Sequence, residues 1–309
     1  LIKIASGKLR YTATSTEELP VVGDWVITEG DGDGVIHRVL PRKSKFSRVA
    51  AGEKTIEQIA AANIDTVFIV MGLDHDYNLR RIERYAAVAW DSGANPVIIL
   101  NKVDLSDDPE KYIRLAEEVA PGIPIHAISA LAQDSTSNRK ILINYLKPGK
   151  TAVLLGSSGT GKSTITNLLL GSEHQKTAAV REDDSRGRHI TTARQMFLIP
   201  SGGIIIDTPG MRELKLWSSD DSLEEVFSEI EEVARYCRFA DCSHQGEPGC
   251  AVAEAVEAGK ISKEGVTSYL KLQRELAYIE RRQKEGAARV EKLRWKKIAK
   301  EIKTLNKRK

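Results

Sequence analysis

The chain has 309 residues, 41% hydrophobic and 29% charged, a balance that suits a folded globular protein and excludes disordered and collagen-like classes. No apolar run approaches the ~20 residues a membrane-spanning helix needs, and no signal-peptide pattern is seen, although the chain opens on Leu1 and not Met, so a cytoplasmic protein without a membrane partner is expected. The net charge of +3 conceals an asymmetry: residues 271–309 hold fifteen Lys and Arg against five Asp and Glu, a net of +10 that leaves −7 for the rest.

Residues 1–45 read as short β segments. "KLRYTATS" and "DWVITEG" are rich in strand formers, and the turn cluster "GDGDG" (Gly30 to Gly34) precedes "VIHRVL". They predict a small antiparallel barrel. It is expected to be incomplete on its N-terminal side, because a five-stranded barrel takes more than roughly forty-five residues. "PRKSKFSRVAAGEK" (Pro41 to Lys54) reads as a basic linker. Beyond it come apolar runs of strand length: "DTVFIVMG", "NPVIILNKVD", "IPIHAISA", "TAVLLGSS", "RQMFLIPS" and "GIIIDTPG". Helical stretches such as "NLRRIERYAAVAWDSG" and "DPEKYIRLAEEVA" separate most of them. The alternation predicts a mostly parallel sheet with helices on both faces, an α/β unit.

The ends of these runs carry the chemistry. In "NKVD", Asp104 offers two acceptor oxygens to the ring N–H and exocyclic amine of guanine. Adenine lacks that donor pair, and a bidentate contact discriminates by about 1–3 kcal/mol. Asn101 is expected to bond the base edge and brace the phosphate loop, and Lys102 to lie along the base. In "ISA", Ser129 supports this loop and the Ala130 N–H is expected at the guanine O6. Next comes "GSSGTGKS": Gly156, Ser157, Ser158, Gly159, Thr160, Gly161, Lys162 and Ser163, with Thr164 following. A glycine-rich loop between a strand and a helix curls its backbone N–H groups around phosphate oxygens, at a helix end that favours anions. Lys162 would reach the β- and γ-phosphates and Ser163 would ligate Mg²⁺. In "DTPG", Asp207 would hold the magnesium shell and the Gly210 N–H would meet the γ-phosphate. Together the motifs predict GTP over ATP, with GDP as product.

Their order is unusual. Here the base reader (101–104) precedes the phosphate loop (156–163), whereas ordinary GTPases begin with the loop and end with the reader. The chain therefore reads as a circular permutation, in which the loops still converge on one sheet edge. The segment after "DTPG" then leads directly into the C-terminal part.

From about Ser222 the chain reads helical except at "CRFADCSHQGEPGC", with Cys237, Cys242, His244 and Cys250 spaced C-x4-C-x-H-x5-C. An odd number of cysteines confined to one stretch argues against a disulfide framework. Three thiolates and one imidazole fit a closed tetrahedral site, so one structural zinc per chain is expected. The basic tail is either a polyanion contact or a solvated helix face.

The motifs "VVGDWV", "TVFIVMGLDHDYNLRRIERY", "NKVDL", "GSSGTGKST", "EDDSRGRHITT", "IDTPGMREL", the Cys/His cluster and "KLQRELAYIERRQ" span essentially the whole chain. They resemble the circularly permuted, ribosome small-subunit-dependent GTPases of the RsgA type. The resemblance implies an N-terminal OB-type barrel (1–45), a permuted GTPase domain (46–216) and a zinc-bearing helical domain with a basic C-terminal helix (217–309). It implies a late role in assembly of the small (30S) ribosomal subunit, with GTP hydrolysis raised by that particle; contacts with its rRNA and with other assembly factors, and a monomeric state, are expected. It implies Thr192, with Thr191 as the alternative, as the switch threonine on magnesium. The position after the "DTPG" glycine is Met211, which cannot orient a water. His189 in "SRGRHITT" is the candidate for that task, beside Lys162 and Thr192 in the catalytic set. A passive RNA-binding module with a structural nucleotide site is the competing class; the intact Lys162, Ser163 and Asp207 speak against it.

Overall fold

The computed structural model describes residues 2–3, 19–28, 36–49, 57–74, 76–131, 135–171, 195–207, 223, 226–279 and 281. In the N-terminal part, β1 (Ile2–Lys3), β2 (Trp25–Thr28) and β3 (Ile36–Val39) form an antiparallel three-stranded sheet. β4 (Lys45–Val49) and β5 (Glu57–Ala62) pair separately as an antiparallel ribbon. Among the described residues these strands do not close into a barrel. The ribbon corrects the reading of Pro41–Lys54 as a linker. A register shift between Phe46 and Ser47 breaks the two-residue alternation that would mark a strand in the sequence, yet Phe46 is buried in the main core.

The centre is a six-stranded sheet. It comprises β6 (Thr66–Gly72), β7 (Asn95–Asn101), β8 (Ile125–Ala127), β9 (Thr151–Leu155), β10 (Gln195–Leu198) and β11 (Ile204–Asp207), in the order β10-β11-β9-β6-β7-β8. Only the β10–β11 pair is antiparallel. Side chains on successive residues of a strand point to opposite faces, and β6 shows the result. Val67, Ile69 and Met71 join one core cluster, and Phe68 and Val70 join the other. With both faces covered, the central strands β6, β7 and β9 have no polar side to show, which is why they are almost wholly apolar.

Helices α1 (Leu79–Asp91) and α2 (Pro109–Val119) cover the first face, and α3 (Ser135–Ile143) and α4 (Lys162–Leu170) the second. α1 starts where Asn78 accepts a hydrogen bond from the Arg81 N–H at 3.0 Å, and α2 where Asp108 caps the Lys111 N–H ahead of Pro109. The C-terminal part adds helices at Ser228–Ala234 and Ala251–Glu257 and over residues 263–279. Their apolar residues, including Ile230, Val252, Leu272 and Leu276, lie in the same cluster as Ile82 and Ala86 of α1.

Candidate nucleotide-binding and metal sites

Parallel strands β7, β9 and β11 all end at one edge of the sheet, so the loops after them meet there although they lie far apart in sequence. β7 ends on Asn101, which is 2% exposed and placed between two loops. Its Nδ2 donates to the Thr160 carbonyl at 2.8 Å, and its Oδ1 accepts the Ala130 N–H at 3.1 Å. The Ala130 N–H, expected at a guanine O6, is thus engaged by Asn101 here. Lys102 follows in the left-handed conformation (φ 65°), and its ammonium pairs with Asp74 at 2.5 Å. Burial pushes the Asp74 carboxyl up, but Lys102 and the Asp76 N–H outweigh that and hold it below its usual range. Asp104 lies in a single 3₁₀ turn, Val103–Leu105, where Ser129 donates its hydroxyl proton to it.

β9 runs into the phosphate loop. Gly156 is pressed so close to β6 that a Cβ there would lie 2.5 Å from the Val70 carbonyl. Gly161 caps α4 with φ 95°, and a Cβ there would lie 2.2 Å from Asn101 Nδ2. Both positions therefore require glycine. Lys162 opens α4 and folds its ammonium back on the Gly156 and Ser157 carbonyls, at 2.9 and 2.5 Å. Ser158 and Gly159 are exposed at the crown of the loop, Thr160 is buried, and Ser163 and Thr164 lie half-buried in the first turn of α4. The free N–H groups of such a first turn attract anions.

Asp207 is the last residue of β11, beside β9, so its backbone ends at the same edge as the phosphate loop. Gly210, His189, Thr191 and Thr192 lie outside the described residues. Three residues were given no role by motif reasoning. Asp74, Asp76 and Arg81 all follow β6, and they reach the base-reading and phosphate loops through Lys102 and Ser157.

The second candidate site is the cluster of Cys237, Cys242, His244 and Cys250, whose ligand atoms all lie within 4.8 Å of one another. His244 Nδ1 is 3.6 Å from both the Cys237 and Cys250 sulfurs. Metal–sulfur bonds of about 2.3 Å and metal–nitrogen bonds of about 2.0–2.1 Å at the tetrahedral angle give edges of about 3.5–3.6 Å. The cluster therefore fits a tetrahedral metal ion without rearrangement of that pair of edges. None of the three cysteines is in a disulfide. Cys250 also caps the helix Ala251–Glu257 through its sulfur. Glu247 ties the loop together by accepting from the Ser243 hydroxyl and from the Ser243 and Gln245 N–H groups, which holds its carboxyl down to about 2.

The motifs of a guanine reader and a phosphate loop and an acid-ended strand, brought to one sheet edge with the reader motif first in the chain, are the pattern of a circularly permuted P-loop GTPase. The model of one family, described as RsgA GTPase, matches residues 39–217. The chain belongs to this family of GTP-hydrolysing enzymes. It is 48% identical to "Small ribosomal subunit biogenesis GTPase RsgA 1" of Oceanobacillus iheyensis over 300 residues, 96% of this chain and 85% of that one. It is 47% identical to "Small ribosomal subunit biogenesis GTPase RsgA" of Methanosarcina acetivorans, over 93% of this chain and 78% of that one. Among solved structures, YjeQ from Thermotoga maritima is 30% identical with a TM-score of 0.58, covering 84% of each chain. YloQ, a circularly permuted GTPase, shares the fold at 23% identity and a TM-score of 0.56, covering 84% of this chain and 81% of that one.

Proposed function

We propose that this protein hydrolyses GTP to GDP and phosphate during late maturation of the small (30S) ribosomal subunit. Its partners are that subunit and its rRNA, with other assembly factors nearby, and it works as a cytoplasmic monomer. The observation that carries the nucleotide reading is Asn101, whose one buried amide joins the base-reading segment to both the Thr160 and Ala130 loops. The names of the relatives support the ribosomal role. No helix among the described residues is long and apolar enough to cross a membrane.

In this reading Asp104 selects guanine, Lys102 lies along the base, and the N–H groups of residues 156–164 hold the phosphates. Ser163, Asp207 and Thr192 would hold Mg²⁺, which when bound would supply neutralisation of phosphate charge. Water attacks the γ-phosphorus, the bond to the bridging oxygen breaks, and GDP leaves. Lys162 and the loop N–H groups meet the charge that develops on the phosphate oxygens. His189 accepts a hydrogen bond from the attacking water. Zinc is the metal assigned to the Cys/His cluster; with four protein ligands it leaves no place for a substrate, so its role is structural.

The N-terminal strands would belong to an OB-type barrel over residues 1–45, ahead of the GTPase unit (46–216) and the metal-bearing unit (217–309). RNA contact is supported by the surface of the last unit. Tyr236 is 82% exposed, Arg238 lies over the Phe239 ring at 5.5 Å, and Arg281 over the Tyr278 ring at 6.0 Å. Exposed rings interleaved with arginines suit the stacking of unpaired bases. The test is GTP turnover against purified small subunits, large subunits and free rRNA. Stimulation by small subunits alone is expected, and its absence would overturn the reading. His189→Ala should lower the stimulated rate while subunit binding and GTP affinity hold; intact stimulation would remove His189 from the catalytic set.

A further inference from the structure

The connection from β6 to α1 lies against the phosphate loop. The Ser157 hydroxyl is 2.5 Å from both carboxylate oxygens of Asp76. Its oxygen accepts from Arg81 Nη1 at 2.6 Å. The same Nη1 lies 2.6 Å from Asp76 Oδ1 and 3.2 Å from the Asp76 carbonyl, so serine, aspartate and arginine form a closed ring of contacts. A serine hydroxyl has one proton to give, and here it goes to Asp76. The side chain of Ser157 is therefore an anchor and not a phosphate donor.

The carbonyl of the same residue has different partners. It accepts from the Lys162 ammonium at 2.5 Å and from the Thr160 hydroxyl at 3.1 Å. Ser157 thus holds the helix α1 with its side chain and the phosphate-reaching lysine with its backbone. Arg81 is itself fixed, because its N–H is capped by Asn78 at the start of α1. The contact is tertiary: Arg81 and Asp76 stand 76 and 81 residues from Ser157 in the chain.

We propose that Asp76 and Arg81 are positioning residues for GTP hydrolysis, which set the phosphate-loop crown and Lys162 through Ser157. Neither touches the base-reading residues Asp104 or Asn101 in any described contact, so their removal should leave ground-state binding of guanine nucleotide nearly intact. A displacement of the reacting groups by about 1 Å costs on the order of a hundredfold in rate. The experiment is single-turnover and steady-state GTP hydrolysis by Arg81→Ala, Ser157→Ala, their combination and Arg81→Lys, each checked for an unchanged melting temperature. Arg81→Ala and Ser157→Ala should each lower kcat roughly ten- to a hundredfold with KM and GDP affinity within about threefold. Since both act through one contact, the double variant should be no slower than the slower single one. Arg81→Lys, which keeps a charged donor, should recover part of the rate. An unchanged kcat, full additivity of the two losses, or a parallel fall of kcat, nucleotide affinity and melting temperature would overturn the proposal.

Discussion

Asn101→Ala is the substitution whose effect can be worked from the structure most directly. The side chain is 2% exposed and gives one hydrogen bond to each of two loops, at 2.8 and 3.1 Å. Truncation leaves the Thr160 carbonyl and the Ala130 N–H without these partners. A buried polar group left unsatisfied costs about 1–3 kcal/mol. Water entering from the nucleotide side offsets part of the loss, so a net cost of about 3 kcal/mol is expected, or about a hundredfold in guanine-nucleotide affinity at ~1.4 kcal/mol per tenfold. Gly161 cannot fill the gap, because it has no side chain. Asn101→Asp gives a sharper test. It keeps the acceptor for Ala130 but sets an oxygen against the Thr160 carbonyl, so it should weaken binding at least as much as alanine despite its matching shape. Calorimetric titration with GDP, together with melting curves at saturating GDP, measures both effects. If both variants bind GDP within threefold of the wild type, Asn101 does not join the two loops in solution.

Asp104→Asn should shift preference from guanosine to xanthosine nucleotides, because the amide can donate to the xanthine carbonyl; retention of GTP selectivity would remove Asp104 as the base reader. Cys250→Ser removes one of the clustered ligands and the sulfur cap of helix Ala251–Glu257. Metal content should fall below one per chain by elemental analysis while GDP affinity holds within about threefold, and full metal retention would contradict the assignment. Burial raises the carboxyl of Glu83, only partly opposed by Ser268 and Arg80, and among the described residues its Oε2 has no hydrogen-bond partner. A carboxyl whose folded pKa lies above its unfolded value favours folding below the unfolded pKa and loses that contribution as pH rises through the folded one. Glu83→Gln should therefore flatten the decline of melting temperature as pH rises above the ordinary glutamate range, and an unchanged pH profile would refute the cause given.

The parts legible in the sequence are those whose signal is local. The central parallel strands read as apolar runs because both their faces are buried, and β6, β7, β9 and β11 follow "DTVFIVMG", "NPVIILN", "TAVLL" and "IIID" closely. The Cys/His cluster is legible because its ligands lie within one short stretch, so spacing alone brings them close. β4 escaped because its bulge shifts the alternation by one residue. Asp76 and Arg81 escaped for a different reason. They resemble ordinary loop and helix-surface residues, and they acquire a role only when β6 pairs with β9 and brings the β6–α1 connection over a loop some eighty residues away. Asp74 is similar, since its partner Lys102 stands at the end of the neighbouring strand. Residue 189 and the rest of the switch segment lie outside the described residues.

The permuted order also changes what the C-terminal helices can feel. After β11 the chain passes from the "DTPG" segment into these helices, which is a covalent route from the γ-phosphate side of the site. α1 supplies a second route through packing. Arg81 in its first turn meets Ser157, and Arg84, three residues on, grips Glu275 of the helix over residues 263–279 with two bonds of 2.8 and 2.9 Å. On that helix Arg274 bonds Gln245, which lies between the metal-ligand candidates His244 and Cys250. Residues 84 and 81 are one helical turn apart and so lie on one side of α1. Among the described residues, the metal-bearing loop and the phosphate loop are therefore linked through α1 and the 263–279 helix. Ile82 and Ala86 of α1 share their core cluster with Leu272 and Leu276. A partner that shifts the 263–279 helix must either carry α1 with it or give up both Arg84–Glu275 bonds, and the close-packed core that the two helices share favours the first.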